Sequence, residues 1–323
     1  MISAYVTDGG RLKSVEPLET NFPGIVWFDL YEPTREEESA VEGALGIDVP
    51  LLEEMEEIEI SSRLYQENNA AYMTAILPAR TDTDDPHMAP VTFVLSGDHL
   101  LTVRYHEPRA FQTFTARAGR VPMGFSTGDS VLIALLEAHV DRLADVLERI
   151  GRDITQISRE VFRRPGAKTS GGSDFQVLLE AIGRKGDLTS NIRDCLGTLA
   201  RMIGFLAHVS LKGQNDKELR ARISTLANDC QSIIDHATFL TQKVTFLLDA
   251  TLGLINIEQN ATIKIFSVVA VVFLPPTLIA SIYGMNFDFM PELAWPWGYP
   301  LALLLMVASA VLPYWFFKRR RWL

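Results

Sequence analysis

Two cysteines in 323 residues, Cys195 and Cys230, are too few to form a disulfide framework and do not lie at metal-ligand spacing. They read as buried thiols in a reducing compartment. The six histidines, at 87, 99, 106, 139, 208 and 236, fall into no HxxxH or HExxH pattern, which removes the common histidine route to zinc. Neither a GxxxxGKS/T loop nor a GxGxxG turn occurs, so nothing points to a nucleotide cofactor, to ATP-driven work or to an enzyme. Basic charge is also short, with 30 Lys and Arg against 40 Asp and Glu. The last 41 residues hold +2, which leaves −12 on the preceding 282. An acidic body of this kind disfavours nucleic acid and favours divalent cations as partners. The start, Met1-Ile2-Ser3-Ala4-Tyr5-Val6, has neither a basic n-region nor an apolar h-region, so no cleavable leader is expected.

What the chain does have is two long uncharged runs near its end. Ile265–Ile282 is 18 residues without a charge, and Gly298–Phe317 is 20, closed by Lys318, Arg319, Arg320 and Arg321. About 20 apolar residues carry a helix across the hydrocarbon layer of a lipid bilayer. Both runs therefore read as membrane spans. Along the first, Asn260, Ser267, Leu274 and Ser281, with Ile263, Ala270, Thr277 and Gly284, place small or polar groups on one stripe at seven-residue spacing. The stripe fits either close helix–helix packing or the wall of a pore. Pro275 and Pro276 withhold two backbone N–H groups, which a spanning helix tolerates only where protein or a water-filled cavity satisfies the freed carbonyls.

Before the spans, residues 1 to about 125 alternate strand-like and helix-like stretches, with strands expected at Ile2–Val6, Ile25–Leu30, Ala71–Leu77, Val91–Leu95 and Leu100–Tyr105. Thr34-Arg35-Glu36-Glu37 is a capping box opening a helix to Leu45, and Pro50–Ile58 reads as a second, acidic helix with a solvated face. Asp82-Thr83-Asp84-Asp85-Pro86-His87 begins like a calcium loop but lacks the glycine at its sixth position, so it reads as a solvated turn. From Thr127 the apolar period becomes helical: one helix to about Arg164, a second from Asp174 to Lys212, and a third from near Lys217 with no break before the first span. Between Cys230 and Gln259 the third helix has only Asp235, Lys243, Asp249 and Glu258 as charges. It is too apolar to stand alone in water and should pack against copies of itself.

Tyr283-Gly284-Met285-Asn286-Phe287, followed by Met290-Pro291-Glu292-Leu293 between two C-terminal spans, resembles the signature of the CorA family of magnesium ion transporters. Ile255-Asn256-Ile257-Glu258-Gln259-Asn260, Phe273-Leu274-Pro275-Pro276-Thr277 and Phe317-Lys318-Arg319 resemble bacterial members as well. The resemblance implies an α/β cytoplasmic domain (1–125), a helical stalk region (126–260) and a two-helix transmembrane pore domain (261–323) with a periplasmic loop at 283–298. It further implies a funnel-shaped homopentamer, with the third helix lining the axis, that passes Mg2+ through the inner membrane, with Co2+ and Ni2+ left open as further cargoes.

On that reading Tyr283, Gly284, Met285 and Asn286 form the outer selectivity filter, with Asn286 and Gly284 facing the ion. Asn260, Ile263, Ser267, Ala270, Leu274, Thr277 and Ser281 line the pore. Thr277 and Asn260 would supply lower oxygen rings, while Leu274 and Ile263 fit either a hydrophobic constriction or plain packing. Family members also hold regulatory Mg2+ between cytoplasmic domains, and Asp229, Asp235 and Asp249 are the candidates in this chain. A zinc transporter of the related branch and a non-conducting membrane-anchored metal sensor are the alternatives.

The loop between the spans has no Lys or Arg, whereas four basic residues follow the second span, so the loop is expected outside and both termini in the cytoplasm. A reporter fused after Leu323 should therefore be cytoplasmic, and a tag placed near Leu293 should be reached by an impermeant label. An external C-terminus would overturn the orientation.

Overall fold

The computed structural model describes residues 1–15, 24–83, 86–162, 173–210, 217–285, 291 and 295–320. Seven strands, β1 (Ile2–Asp8), β2 (Arg11–Val15), β3 (Ile25–Tyr31), β4 (Leu64–Glu67), β5 (Ala70–Ala79), β6 (His87–Ser96) and β7 (His99–Arg104), form one sheet in the order β2-β1-β3-β7-β6-β5-β4. Every neighbouring pair is antiparallel except β3 and β7, where Trp27 faces Leu100 and Tyr31 faces Arg104 in parallel register. Hairpins explain the antiparallel pairs: Gly9-Gly10 turns β1 into β2, and Asn68-Asn69, both in the left-handed region, turn β4 into β5. All five expected strands are present. β2 and β4 are additional, and both are short, charged edge strands whose sequences, RLKSV and LYQE, lack the apolar alternation of the central ones.

The helices are α1 (Arg35–Leu45), the single turns α2 (Leu52–Met55) and α3 (Ile60–Arg63), α4 (Arg109–Ala118), then α5 (Gly128–Val161), α6 (Ser173–Ser210), α7 (Lys217–Tyr283) and α8 (Gly298–Arg319). The Thr34 capping box forms as its sequence predicts. The acidic helix expected over Pro50–Ile58 shrinks to α2, because five glutamates within seven residues repel one another and, after Pro50, only Met55 is buried to hold the segment down. α4 opens behind Pro108 without a side-chain cap, so the start signal that marks α1 is missing there.

The chain divides into two compact units. The first comprises the sheet, α1–α5, α6 from Gln176 and the part of α7 up to Leu248, and the second comprises the start of α6 up to Phe175 and the part of α7 from Asp249, together with α8. In the first unit the sheet is covered on both faces. Phe28, Leu30, Val94, Leu101 and Val103 pack with Val41 of α1 and Met55 of α2. On the other face Trp27 and Phe93 meet Phe111 and Phe114 of α4 and His139 of α5.

A buried ion pair lies within that second layer. Arg104 clamps Asp29 through Nε at 3.1 Å and Nη2 at 2.9 Å, and its guanidinium sits between the rings of Tyr31 and Phe111. Thr102 donates to the same carboxylate at 2.8 Å, and Trp27 Nε1 donates to Thr102 at 3.0 Å. Truncating one partner of such a pair strands a buried charge and costs about 3–5 kcal/mol.

The long helices join the sheet through their own apolar stripes. Ile192, Leu196, Leu199, Ile203 and Leu206 of α6 are buried, and Ile223, Leu226, Cys230, Ala237, Leu240, Val244 and Leu247 form the covered stripe of α7 in this unit. Polar ties cross between helices: Arg222 grips Glu137 at 3.1 and 2.8 Å, Lys185 pairs with Asp153 at 2.6 Å, and Lys243 donates to Thr155 at 3.0 Å. Both cysteines are free and buried. Burial pushes the Cys195 thiol up to about 12 and that of Cys230 up to about 11, so neither is reactive.

Two features make this unit sensitive to change. A Cβ on Gly128 would stand 2.5 Å from the His99 carbonyl carbon and closer still to Leu100 N, because the start of α5 is pressed onto the β6–β7 turn. Gly128→Ala should destabilise the first unit by roughly 2–4 kcal/mol, read as a lowered thermal midpoint. Burial holds His106 and His139 down at about 4, far below an exposed imidazole. The unfolded chain takes up these protons more readily, so stability is full above about pH 6.5 and falls toward pH 4, by up to about 3 kcal/mol for each histidine. His139→Phe should flatten the acid limb of the urea midpoint against pH; an unchanged limb would place the acid sensitivity elsewhere.

Candidate functional site

The site is built on the half of α7 that belongs to the second unit. At about 100° per residue, Val268, Val272, Pro275, Pro276, Ile279 and Tyr283 share one face of the helix, and this is the buried or half-buried one. Asn260, Ile263, Ser267, Ala270, Leu274, Thr277 and Ser281 lie on the opposite face, and every one of them is exposed. Ile263 is 61% and Leu274 65% exposed, whereas Val268 is 3%. α8 has a covered stripe of its own, running through Gly298, Ala302, Met306, Ser309, Ala310, Pro313 and Phe317. Packing within one chain therefore uses the other face of α7. It leaves the small and polar stripe open, which removes the intrachain form of the packing reading.

Local chemistry leaves acceptors on that stripe. Ser267 donates its hydroxyl proton to the Ile263 carbonyl at 2.8 Å, and Thr277 donates to the Phe273 carbonyl at 2.7 Å. With the protons turned back onto the helix, each hydroxyl oxygen keeps its lone pairs free to accept. Pro275 and Pro276 sit inside α7 and bring no N–H to the carbonyls of Val271 and Val272 one turn earlier. Uncharged oxygen acceptors are thus concentrated over three turns of one helix.

α7 ends at the sequence expected to form the filter. Gly284 N donates to the Ala280 carbonyl at 3.0 Å and Met285 N to that of Ile282 at 3.2 Å, closing the last turn. A Cβ on Gly284 would meet the Ala280 carbonyl at 3.1 Å, so the glycine permits a tight end. Tyr283 is half-buried and Met285 46% exposed. Asn286, the remaining filter candidate, lies outside the described residues, as do Phe287, Met290 and Glu292 to Leu293.

The acidic candidates are not brought together. Asp229 is exposed and borders a groove of about 860 Å3 with Glu137, Asp141, Asp145 and Arg222. Asp235 accepts from Gln231 at 3.0 Å, and Asp249 is exposed at the start of the second unit. Among the described residues no three His, Cys, Asp or Glu side chains are grouped as a metal site. The Asp82 turn is not merely solvated. Its carboxylate is shared by Arg109, Arg142 and Arg149, a constellation that sequence spacing could not reveal because the arginines come from two helices far along the chain.

Comparison with known proteins places the whole chain. A family profile described as CorA-like Mg2+ transporter protein matches residues 23–319. Proteins named magnesium transport protein CorA from Haemophilus influenzae and from Escherichia coli strain K12 are each 36% identical over 325 residues, with both chains covered completely. The structure of the CorA magnesium transporter from Methanocaldococcus jannaschii superposes with a TM-score of 0.78 at 21% identity, covering 100% of this chain and 99% of that one. The fold is theirs: an N-terminal α/β sheet domain, long helices and two C-terminal apolar helices. With its profile match and its end-to-end relatives, the chain belongs to the CorA-like Mg2+ transporter family.

Proposed function

We propose that this protein passes Mg2+ down its electrochemical gradient across the inner membrane, through a pore lined by α7 from five copies. One observation carries the pore: the small and polar stripe of α7 is exposed on the face opposite the one its own chain covers. A ring of such stripes places the oxygens of Asn260, Ser267, Thr277 and Ser281 around one axis, with Ile263 and Leu274 as apolar constrictions between them. The named relatives transport magnesium, and the uncharged stripe suits that ion. Mg2+ holds its octahedral water shell tightly, so a conducting path contacts the shell through neutral acceptors and leaves the waters in place. Carboxylates would bind a divalent ion too long to release it.

Gly284 and Asn286 form the outer filter, with Tyr283 and Met285 shaping its mouth. Phe239, Phe246, Leu252 and Ile257, all 45–66% exposed along α7, are the surfaces that five copies would cover. Bound Mg2+ at Asp229, Asp235 or Asp249 would hold neighbouring copies in the closed state. A zinc-carrying relative would share the architecture, but it usually departs from Gly-Met-Asn at the filter.

Two measurements test this reading. Native mass measurement in detergent should give a homopentamer, and a monomer or dimer would remove the pore. Asn286→Ala deletes the carboxamide from a position beyond the span, so assembly should persist while Mg2+ flux into proteoliposomes falls at least tenfold, about 1.4 kcal/mol at the limiting step. Asn286→Asp should bind Mg2+ more tightly and pass it more slowly. If the stripe instead served only packing between copies, both variants would conduct like the parent, and Ser267→Leu would dissociate the oligomer.

A further inference from the structure

The face of α8 that its own chain leaves open has two parts, and one continues the other. A groove of about 570 Å3 runs along the helix, lined by Leu303, Leu304, Val307, Ala308, Val311 and Leu312, with no polar side chain among them. Past its end, at about 100° per residue, Trp315, Lys318 and Arg319 all point within about 60° of Leu304. The covered stripe through Ala302, Met306, Pro313 and Phe317 lies on the other side of the helix, whereas Trp315, Lys318 and Arg319 are exposed. Along the axis the order is hydrocarbon, ring, charge. Leu304 and Arg319 stand about 22 Å apart at 1.5 Å per residue, which is the depth of one bilayer leaflet with its headgroups.

The two cations are placed but not neutralised. The Arg319 guanidinium lies 5.4 Å from the centroid of the Trp315 ring, and Lys318 Nζ lies 6.0 Å from that of Tyr314, so each is stapled back over the aromatic turn before it. Neither makes an ion pair among the described residues. No Asp or Glu occurs after Glu292, so the α8 of a second copy would bring them no counter-charge. A phospholipid phosphate would, and its acyl chain suits the groove.

We infer that this face of α8 binds one anionic phospholipid, with an acyl chain along the groove from Leu304 to Leu312 and the headgroup phosphate held between Lys318 and Arg319. A guanidinium and an ammonium side by side match the oxygens of a phosphodiester in charge and geometry. Basic side chains at the end of a span are drawn to anionic headgroups, and a tryptophan ring settles at the level between headgroup and tail. Arg320 marks the edge of the site, because it leans on Phe316 at 5.7 Å, a ring about 120° round the helix from Leu304. The inference rests on α8 spanning a bilayer and not on conduction, so its outcome is independent of any Mg2+ flux.

The test is native mass measurement of the full chain in nonionic detergent at fixed ionic strength, with dioleoyl-phosphatidylglycerol or dioleoyl-phosphatidylcholine added. Phosphatidylglycerol should bind at least about tenfold more tightly. Lys318→Gln and Arg319→Gln should each weaken it about fivefold, the share of one basic side chain at an anionic surface, and leave phosphatidylcholine unchanged. Arg320→Gln should change it by less than about twofold. Each variant keeps three of the four terminal basic residues, so orientation in the membrane is preserved. Ala308→Trp, which fills the groove from an accessible helix face, should weaken phosphatidylglycerol at least about threefold. Equal affinity for the two lipids, the same loss in Arg320→Gln as in the other two charge variants, or no effect of Ala308→Trp would each overturn the inference. Displacement of the lipid by an equal concentration of inorganic phosphate would assign the cations to a free anion, and dissociation of the assembly in Lys318→Gln would assign the face to contact between copies; either result overturns it as well.

Discussion

Hydrocarbon offers no water to a backbone N–H or C=O, so a chain that enters it must bring its own hydrogen bonds. α7 meets this requirement by remaining one helix from Lys217 to Tyr283, although its surroundings change along the way. Up to Leu248 its apolar stripe is buried against the sheet-bearing unit, and from Asp249 the residues belong to the second unit. The same continuity fixes the phase of the helix. Once Val268 and Ile279 are on the covered side, Ser267, Ala270, Leu274 and Thr277 have to be on the other, whatever lies opposite them.

The proposed chemistry follows from what that open face offers. Between Ile265 and Ile282 there is no charge at all, and the polar side chains of the stripe are hydroxyls, of which those of Ser267 and Thr277 commit their protons to the helix. Such a surface is rich in acceptors. The shell of a hydrated divalent cation presents donors only, since its waters point their hydrogens outward. On the proposed reading, the net acidic charge of the first unit would raise the local concentration of cations without trapping them along the path.

Much of this was legible in the sequence because it depends on period and punctuation. The helical spacing of Val131 to Ile150, the Thr34 capping box and the two uncharged runs are local signals, and the structure has all of them. β2 and β4 were not legible, since edge strands with one buried residue or none lack the alternation that reveals central strands. α4 lacked a cap, and the acidic segment after Pro50 has helical propensity but little apolar surface to anchor it. The stripe on α7 was visible as a pattern, whereas the fact that its own chain covers the opposite face was not, because that depends on tertiary packing and not on spacing. The arginines around Asp82 were invisible for a different reason: Arg109, Arg142 and Arg149 converge only after α4 and α5 have docked on the sheet.

The central claim is that α7 lines a passive path for Mg2+, and the most direct measurement is uptake into proteoliposomes of the purified protein whose membrane potential is set by a potassium gradient and valinomycin. With no ATP present, the account predicts Mg2+ uptake that rises as the interior is made more negative and vanishes when the potential and concentration gradients are cancelled. Uptake indifferent to potential, or none at any potential, would contradict it.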